Sequence, residues 1–564
     1  MTEPLLSEAA KSTPPVSASR EALMFPTLTA AQIAQIAAHG RVRALARGEV
    51  LIEAGDRVVP FFVITAGAIE IVRPSPAGDV LVAVHGPGKF TGEANMLLGR
   101  RSLTRASVVD AGEAIELTRD QVLTLVQTDP AISEILMRAF IYRRLELVAH
   151  GIGDVALIGS LHSPATLRIR EFLTRNGHPF AYVDLDRDTD VQDLLDRFHV
   201  ATSDIPVLIC CGHGVLRNPS NEQIADVLGF NQNIDQTHVR DVVVVGAGPA
   251  GLAAAVYAAS EGLDVLVIEA NSPGGQAGSS SRIENYLGFP TGISGQELAG
   301  RAFAQAEKFG AEILIARDAT SLTCNRKPYT VATGESGRVQ ARAIILATGA
   351  RYRKPALDNL AQFEGVGVYY SATFMEAQLC AGDDVIVVGG GNSAGQAAVF
   401  LSESARRVHM LVRSPGLAES MSRYLIRRIE DTAKIELRCL TEIVALEGNG
   451  HLERVRWRDN RTGDVSRHDL RHLFLMTGAV PSTAWLGGCV ALDAKGFVKT
   501  GPDLSRDDLT AAQWPLARAP YLLETSLPGV FAVGDVRCGN VKRVASAVGE
   551  GSIAISFVHR VLAE

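Results

Sequence analysis

Four stretches of the chain carry four different patterns of apolar and polar positions. After a polar start, Leu28, Ile33, Ile36 and Ala37 recur at helical spacing behind Thr27 and Thr29, which predicts a short capped helix. From Val50 to Leu117 the pattern becomes short β-branched runs (VLI, FFVIT, AIEIV, VLVAVHG, AIELT) broken by Gly, Pro and Asp, predicting an antiparallel barrel or jelly roll. Helical periodicity returns over Arg119 to Val148. Between about Val155 and Phe230 the strand-like runs VALIGS, FAYVDLD and VLIC alternate with helical segments at Pro164 to Asn176, Val191 to Phe198 and from Ser220, a βαβαβ-type pattern. Beyond Asp241 two apolar runs, DVVVV and DVIVV, each enter a glycine-rich turn followed by a helix.

The length of 564 residues corresponds to several domains, and 47% hydrophobic with 21% charged residues describes an ordinary folded α/β composition. A net charge of -7 supplies no general attraction to nucleic acid or to an anionic membrane. The seven cysteines are scattered and never stand in C-x-x-C spacing, which argues against a disulfide scaffold and against a zinc site, so no metal is expected. Residues 1–20 are mostly polar, and no uninterrupted apolar stretch approaches about 18 residues. These features predict a flexible tail and a cytoplasmic protein without membrane contact.

Within the barrel, Pro87-Gly88-Lys89-Phe90-Thr91-Gly92-Glu93 precedes Arg105-Ala106-Ser107-Val108. The pair resembles the phosphate-binding cassette of cyclic nucleotide-binding domains. Backbone N–H groups and an Arg can hold an exocyclic phosphate, and a carboxylate can accept a ribose 2′-hydroxyl. The resemblance implies Arg105 on phosphate and Glu93 on ribose, with Gly92, Ala106 and Ser107 lining the cassette. Ala after the Arg favours cyclic AMP over cyclic GMP by that analogy. The interval of 12 residues from Glu93 to Arg105 is longer than usual, and Asn95 stands where a small or apolar residue is preferred.

The second block resembles thioredoxin- and glutaredoxin-like domains. The active dithiol of that fold sits where the first strand meets its helix, and here the tetrapeptide is Ser163-Pro164-Ala165-Thr166. Hydroxyls neither ionise near neutrality nor form disulfides, so the exchange chemistry is absent. Ile205-Pro206 falls at the place of the family's cis-proline, and Cys210 and Cys211 read as packed residues.

The strand ending in Val245 runs into Gly246-Ala247-Gly248-Pro249-Ala250-Gly251, then an Ala-rich helix, then DVLVIE, which ends at Glu269, 18 positions beyond the last glycine. That order points to a pyrophosphate cradled at a helix N-terminus and a carboxylate on a ribose hydroxyl. A second fingerprint, Gly389-Gly390-Gly391-Asn392-Ser393-Ala394, follows Val388. With Gly274-Gly275-Gln276, Ile283-Glu284-Asn285-Tyr286, Thr348-Gly349-Ala350, Thr477-Gly478 and Gly534-Asp535, the set resembles low-molecular-weight thioredoxin reductases over residues 238–564. The resemblance implies a flavin domain in two segments, a nicotinamide domain between them, and a homodimer. FAD would touch Gly246, Gly248, Pro249, Ala250, Gly251, Glu269, Gly275, Gln276, Asn285, Gly349 and Asp535, with Lys542, Arg543 and Val544 at the flavin edge. NADP would touch Gly389, Gly391, Asn392, Ser393, Ala394 and Arg413. The family's further arginines are replaced by Ser414 and Ala418, with Arg423 and Arg427 nearby, so NADPH is favoured and NADH stays open.

The reductase dithiol C-A-T-C corresponds here to Ser371-Ala372-Thr373-Phe374. Neither sulfur is present. The expected layout is therefore a tail (1–20), a jelly-roll cyclic nucleotide-binding domain with helices (21–150), a thioredoxin-like α/β domain (153–232), and two Rossmann-type domains, flavin (238–352 and 473–564) and nicotinamide (353–472). Two functions fit this layout. One is an FAD-dependent NAD(P)H oxidoreductase that is regulated by a cyclic nucleotide and passes electrons to an unidentified small molecule or protein. The other is a sensor that binds the same nucleotides with negligible turnover.

Overall fold

The computed structural model describes residues 22–57, 59–73, 79–92, 101–149, 155–160, 163–185, 204–210, 214–231, 234–280, 282–334 and 337–564. The chain divides into two compact units, Met1–Asp154 and Val155–Glu564.

In the first unit, Thr29 caps α1 (Ala30–Ala37): its hydroxyl accepts from Gln32 N while the Gln32 side chain accepts from Thr29 N. Strands β1 (Arg41–Leu45), β2 (Val50–Ile52), β3 (Phe61–Arg73), β4 (Val80–His85) and β5 (Arg105–Leu117) form an antiparallel sheet of order β1-β5-β3-β4, with β2 also on β5. Burial alternates along β5 because one face packs inward on Phe61, Phe90 and Phe140. The helical stretch that follows is two helices, α2 (Arg119–Thr128) and α3 (Pro130–Ala149), because Pro130 opens the second and the Asp129 carboxylate accepts from Ala131 N and Ile132 N.

The second unit begins with β6 (Val155–Gly159), α4 (Pro164–Arg175), β7 (Ala181–Asp184), β8 (Val207–Cys210), β9 (Gly214–Arg217) and α5 (Asn221–Val227). Its sheet has the order β7-β6-β8-β9, with β7 parallel and β8 antiparallel to β6. The third strand is reversed, and a fourth, not read from the sequence, completes a hairpin with it. The Ile205-Pro206 bond is cis. The helix expected at Val191 to Phe198, like Cys211, lies outside the described residues.

The flavin-type sheet follows: β10 (Val239–Val245), α6 (Pro249–Ser260), β11 (Val265–Glu269), α7 (Gly295–Lys308), β12 (Glu312–Ile315), β13 (Ala319–Thr323), β14 (Tyr329–Thr333) and β15 (Gly337–Leu346), with strand order β12-β11-β10-β15-β14-β13. After β16 (Ala350–Tyr352) a second sheet is inserted, built from β17 (Val368–Tyr369), α8 (Phe374–Leu379), β18 (Asp384–Val388), α9 (Asn392–Ser404), β19 (Arg407–Val412), α10 (Arg423–Asp431), β20 (Ile435–Cys439) and, beyond an antiparallel sheet of β21 (Thr441–Glu447), β22 (Arg454–Asp459) and β23 (Val465–His468), β24 (His472–Leu475). All its pairings, in the order β17-β24-β18-β19-β20, are parallel. The insertion therefore ends after Leu475, not at 472. The chain returns through β25 (Ala479–Pro481), antiparallel to β16, and β26 (Val530–Ala532) joins β15 in parallel before α11 (Val544–Ala563). A disulfide joins Cys324 to Cys489, one from each segment of the divided domain, a pairing across 165 residues that local cysteine spacing did not anticipate.

Candidate functional site

Both glycine-rich turns stand at the carboxyl ends of parallel strands and open into one cleft of roughly 1650 Å³, larger than the ~300–1000 Å³ of a single-ligand pocket. Gly246 has φ +106°, and a Cβ there would lie 2.4 Å from the Ala347 carbonyl oxygen, so a side chain cannot be accommodated. Gly248 caps α6, and Pro249 occupies its first turn, where a missing N–H costs nothing. The free N–H groups of that turn and the helix dipole favour a phosphate.

Glu269 closes β11 and is buried. Its carboxylate accepts from Ala247 N (2.7 Å), Asn271 N (2.9 Å) and Ser272 N (3.1 Å). Burial pushes the Glu269 carboxyl pKa up against those hydrogen bonds. Gly275 and Gln276 lie on the cleft wall, the Gln276 amide donating to the Ala350 carbonyl, and Asn285, Gly349 and Val544 line the same space. Asp535 is raised mainly by burial, and Lys542 Nζ stands 3.9 Å from its carboxylate. Arg543 precedes α11 and also lines the cleft. The residues gathered here fit a dinucleotide: a glycine cradle for a pyrophosphate, and one buried and one half-buried carboxylate for hydroxyls.

At the second turn, Asn392 Oδ1 accepts from Ser422 N (2.8 Å), and Ser420 Oγ donates to the Gly390 carbonyl (2.8 Å), fixing the loop opposite the turn. Gly389, Gly391, Ser393 and Ala394 border the cleft, and Arg413 follows β19 onto its rim. Ser371 lines the cleft and Phe374 opens α8. Glu376 on the same helix accepts from Thr373 N and Oγ1, and burial raises its carboxyl pKa. Among the described residues no cysteine lines the cleft. Burial pushes the Cys380 thiol up to about 11 and raises Cys538 as well, which disfavours the nucleophilic thiolate. In the central block Ser163 caps α4, its Oγ accepting from Thr166 N, and Thr166 is fully buried.

Sequence reasoning missed one group of cleft residues. Pro164, Leu167, Arg168, Glu171 and Arg175, all on α4 of the central block, form part of the cleft wall. No signal within the nucleotide motifs could have placed them there, because they arrive through docking of a separate sheet.

In the first unit Arg105 opens β5 and pairs with Glu53 (2.7 Å) and Asp79 (3.0 Å). Ala106 is buried, and Ser107 Oγ donates to Glu70 (3.0 Å). Gly92 has φ +93°, and its carbonyl, like that of Phe90, accepts from Arg143 on α3. Glu93 and Asn95 lie outside the described residues. Among the described residues no group of three or more His, Cys, Asp or Glu gathers into a metal site, and no helix is long and apolar enough to cross a membrane.

Comparison with known proteins bears on both units. Residues 240–551 match the family model of pyridine nucleotide-disulphide oxidoreductases, and residues 42–129 match that of the cyclic nucleotide-binding domain. Thioredoxin reductase of Mycolicibacterium smegmatis is 35% identical over 326 residues, covering 58% of this chain and 97% of the relative. NADPH-dependent thioredoxin reductase 3 of Arabidopsis thaliana is 34% identical over 331 residues, covering 57% of this chain and 58% of that longer protein. Among solved structures, thioredoxin reductases of Lactococcus lactis (27% identity) and T. acidophilum (29%) each superpose with a TM-score of 0.51, over 57% of this chain and 99% of theirs.

Proposed function

The chain belongs to the pyridine nucleotide-disulphide oxidoreductase family and carries a cyclic nucleotide-binding domain, and on that premise we propose that it is an NAD(P)H oxidoreductase that has left disulfide chemistry. The single observation that carries the reading is the shared cleft. Two complete nucleotide turns open into it, while Ser371 lines it where the family's dithiol would stand. FAD, when bound, supplies acceptance of hydride from a reduced nicotinamide and onward release of electrons. The chain's own contribution is binding and orientation. The N–H groups at the start of α6 hold a pyrophosphate, Glu269 accepts ribose hydroxyls, Gln276 and Asp535 fix the far end of the dinucleotide, and the turn before α9 holds the nicotinamide nucleotide with Arg413 beside it.

Serine cannot form the disulfide through which electrons leave a conventional reductase, so the acceptor is a small molecule or a partner protein that meets the cleft directly. The central block, with its reversed third strand, is a thioredoxin-like fold that has lost its dithiol. The working form is a homodimer. In the first unit Arg105 and Gly92 take a cyclic nucleotide, with cyclic AMP favoured, and the occupied domain alters flavin turnover. A coupling of about 1–3 kcal/mol would change affinity about 5- to 150-fold.

Purified protein should be yellow, be bleached anaerobically by NADPH, and reduce a quinone or dye at least about a hundredfold faster than a disulfide substrate. Stopped-flow reduction with cyclic AMP, in wild type and Arg105→Ala, tests the coupling. A colourless protein that FAD cannot reconstitute rejects the reading, and bleaching without turnover on any acceptor turns the protein into a sensor.

A further inference from the structure

We propose that the central block is a permanent wall of the flavin site, and that its Arg175 holds the ribose–pyrophosphate part of FAD. The inference rests on the FAD reading above. It gives a function to a block whose own tetrapeptide can do no thiol chemistry.

The block is built into the flavin domain. Its core of Leu157, Phe172, Ile224 and Phe230 is continuous with Ile313, Ile315 and Ala316 of the flavin sheet. The Asn231 side chain exchanges two hydrogen bonds with the Ile315 backbone, at 2.9 and 2.7 Å. Arg317 pairs with Glu222 (2.8 Å) and Asp226 (2.6 Å) of α5. Gln296 donates to the Thr174 carbonyl at 2.7 Å. Such shared apolar burial plus satisfied polar contacts makes a fixed interface, not a tethered domain.

At the cleft the contacts converge on the loop after Glu269. Asn221 donates to the Asn271 side chain (2.9 Å), and Asn176 donates to the Asn271 carbonyl (3.4 Å). Arg175 reaches from the end of α4 to the Gly275 carbonyl (2.7 Å), bonds Glu171 at 3.3 Å, and lies close enough to Glu269 to pull that carboxyl's pKa down against the larger effect of burial. Its side chain is only 16% exposed, yet its Nε is buried without an acceptor, and so is the Ser272 hydroxyl. A buried donor left unpaired forfeits its hydration with nothing in return, the more so when charged, so two beside one cleft wall indicate acceptors that arrive with a ligand. A pyrophosphate flanked by ribose oxygens is an anionic, acceptor-rich ligand of that kind, and a guanidinium is the side chain suited to it.

Apoprotein titrated with FAD and, separately, with ADP and riboflavin decides the matter by calorimetry. Arg175→Met should weaken FAD and ADP about tenfold and leave riboflavin unchanged. Arg175→Lys, which keeps the charge and loses the fork, should fall between and keeps the test open if the Met variant does not fold. Asn231→Ala loosens the docking without touching the cleft and should stay within about twofold of wild type. If Arg175→Met binds FAD as wild type does, or if Asn231→Ala weakens FAD equally, the Arg175 assignment is overturned while the flavin reading stands. If wild type takes up neither FAD nor ADP, both fall.

Discussion

The two glycine-rich turns of this chain agree at two positions and part at two others. Gly246 and Gly389 both have positive φ, and a Cβ on either would sit 2.4 Å from a backbone carbonyl oxygen, that of Ala347 or of Met476. Gly248 and Gly391 both face open space, with nothing nearer than 3.9 and 4.0 Å to an added Cβ. At the third position Gly251 would drive a Cβ to 1.8 Å from the Gly246 carbonyl oxygen, whereas its counterpart is Ala394, buried at 1% exposure. At the end of the following strand stands Glu269 in the first fold and, just past Val412, Arg413 in the second. The first two positions serve what both sites share, a sharp turn and close approach of a pyrophosphate. The third position reports how tightly helix and turn pack, and the fourth is where the proposed function has each site read its ribose.

The largest expected effect breaks the third position. Gly251→Ala should cost more than about 4 kcal/mol, because the atom it meets is rigid backbone, and should yield protein without flavin. Ala394→Gly, the reverse exchange, should cost about 1 kcal/mol of helix stability and leave flavin content intact. Calorimetric unfolding with flavin quantitation checks both; equal costs would mean that the helices approach their turns equally closely.

A smaller effect concerns how each fold is closed. The nicotinamide sheet is built from continuous chain, but the flavin sheet takes β26 from beyond the insertion, and Cys324–Cys489 ties its two segments together. Loop closure over 165 residues has a ceiling near 5 kcal/mol in the chain-entropy view, and loss of a native disulfide typically costs about 2–5 kcal/mol. The Cys324→Ser/Cys489→Ser double variant should therefore lower the flavin half's unfolding midpoint while nicotinamide binding in the folded state is unchanged. Midpoints that coincide with and without reductant, in wild type and variant alike, would remove the staple from the account.

What was legible in the sequence follows from range. Turns such as Gly246–Gly251 declare themselves because strand, glycines and helix are contiguous, and α1 does so because Ile33, Ile36 and Ala37 recur at helical spacing just behind Thr29. The reversal of β8 was hidden because an apolar run encodes burial without direction, and β9, four residues with exposed ends, carries too little apolar surface to stand out. The nicotinamide domain was cut at 472 because HLFL suits a buried strand in either sheet. Cys324 with Cys489, Arg105 with Glu53, and Arg175 with Gly275 are all pairings that only the folded chain brings together.

The smallest predicted effect sharpens the fourth position. Glu269 is buried and accepts three backbone N–H groups, an arrangement that would repel an added phosphate on its ribose. Arg413 is exposed on the cleft rim, where a guanidinium can meet a 2′-phosphate. It acts with little help. The Ser414 hydroxyl donates to the Gly416 carbonyl at 2.7 Å, Arg428 is paired with Glu284 of the flavin domain at 2.9 Å, and Arg423 and Arg427 lie exposed on α10, outside the cleft lining. One solvent-screened arginine supports a modest preference, so Arg413→Ala should weaken NADPH about tenfold, leave NADH within about twofold, and reduce the salt dependence of NADPH binding. Equal losses for the two nucleotides would move Arg413 onto the pyrophosphate that both share. In that case the second fold would read its ribose by shape alone, and the contrast with Glu269 would rest on the buried carboxylate rather than on a pair of opposite charges.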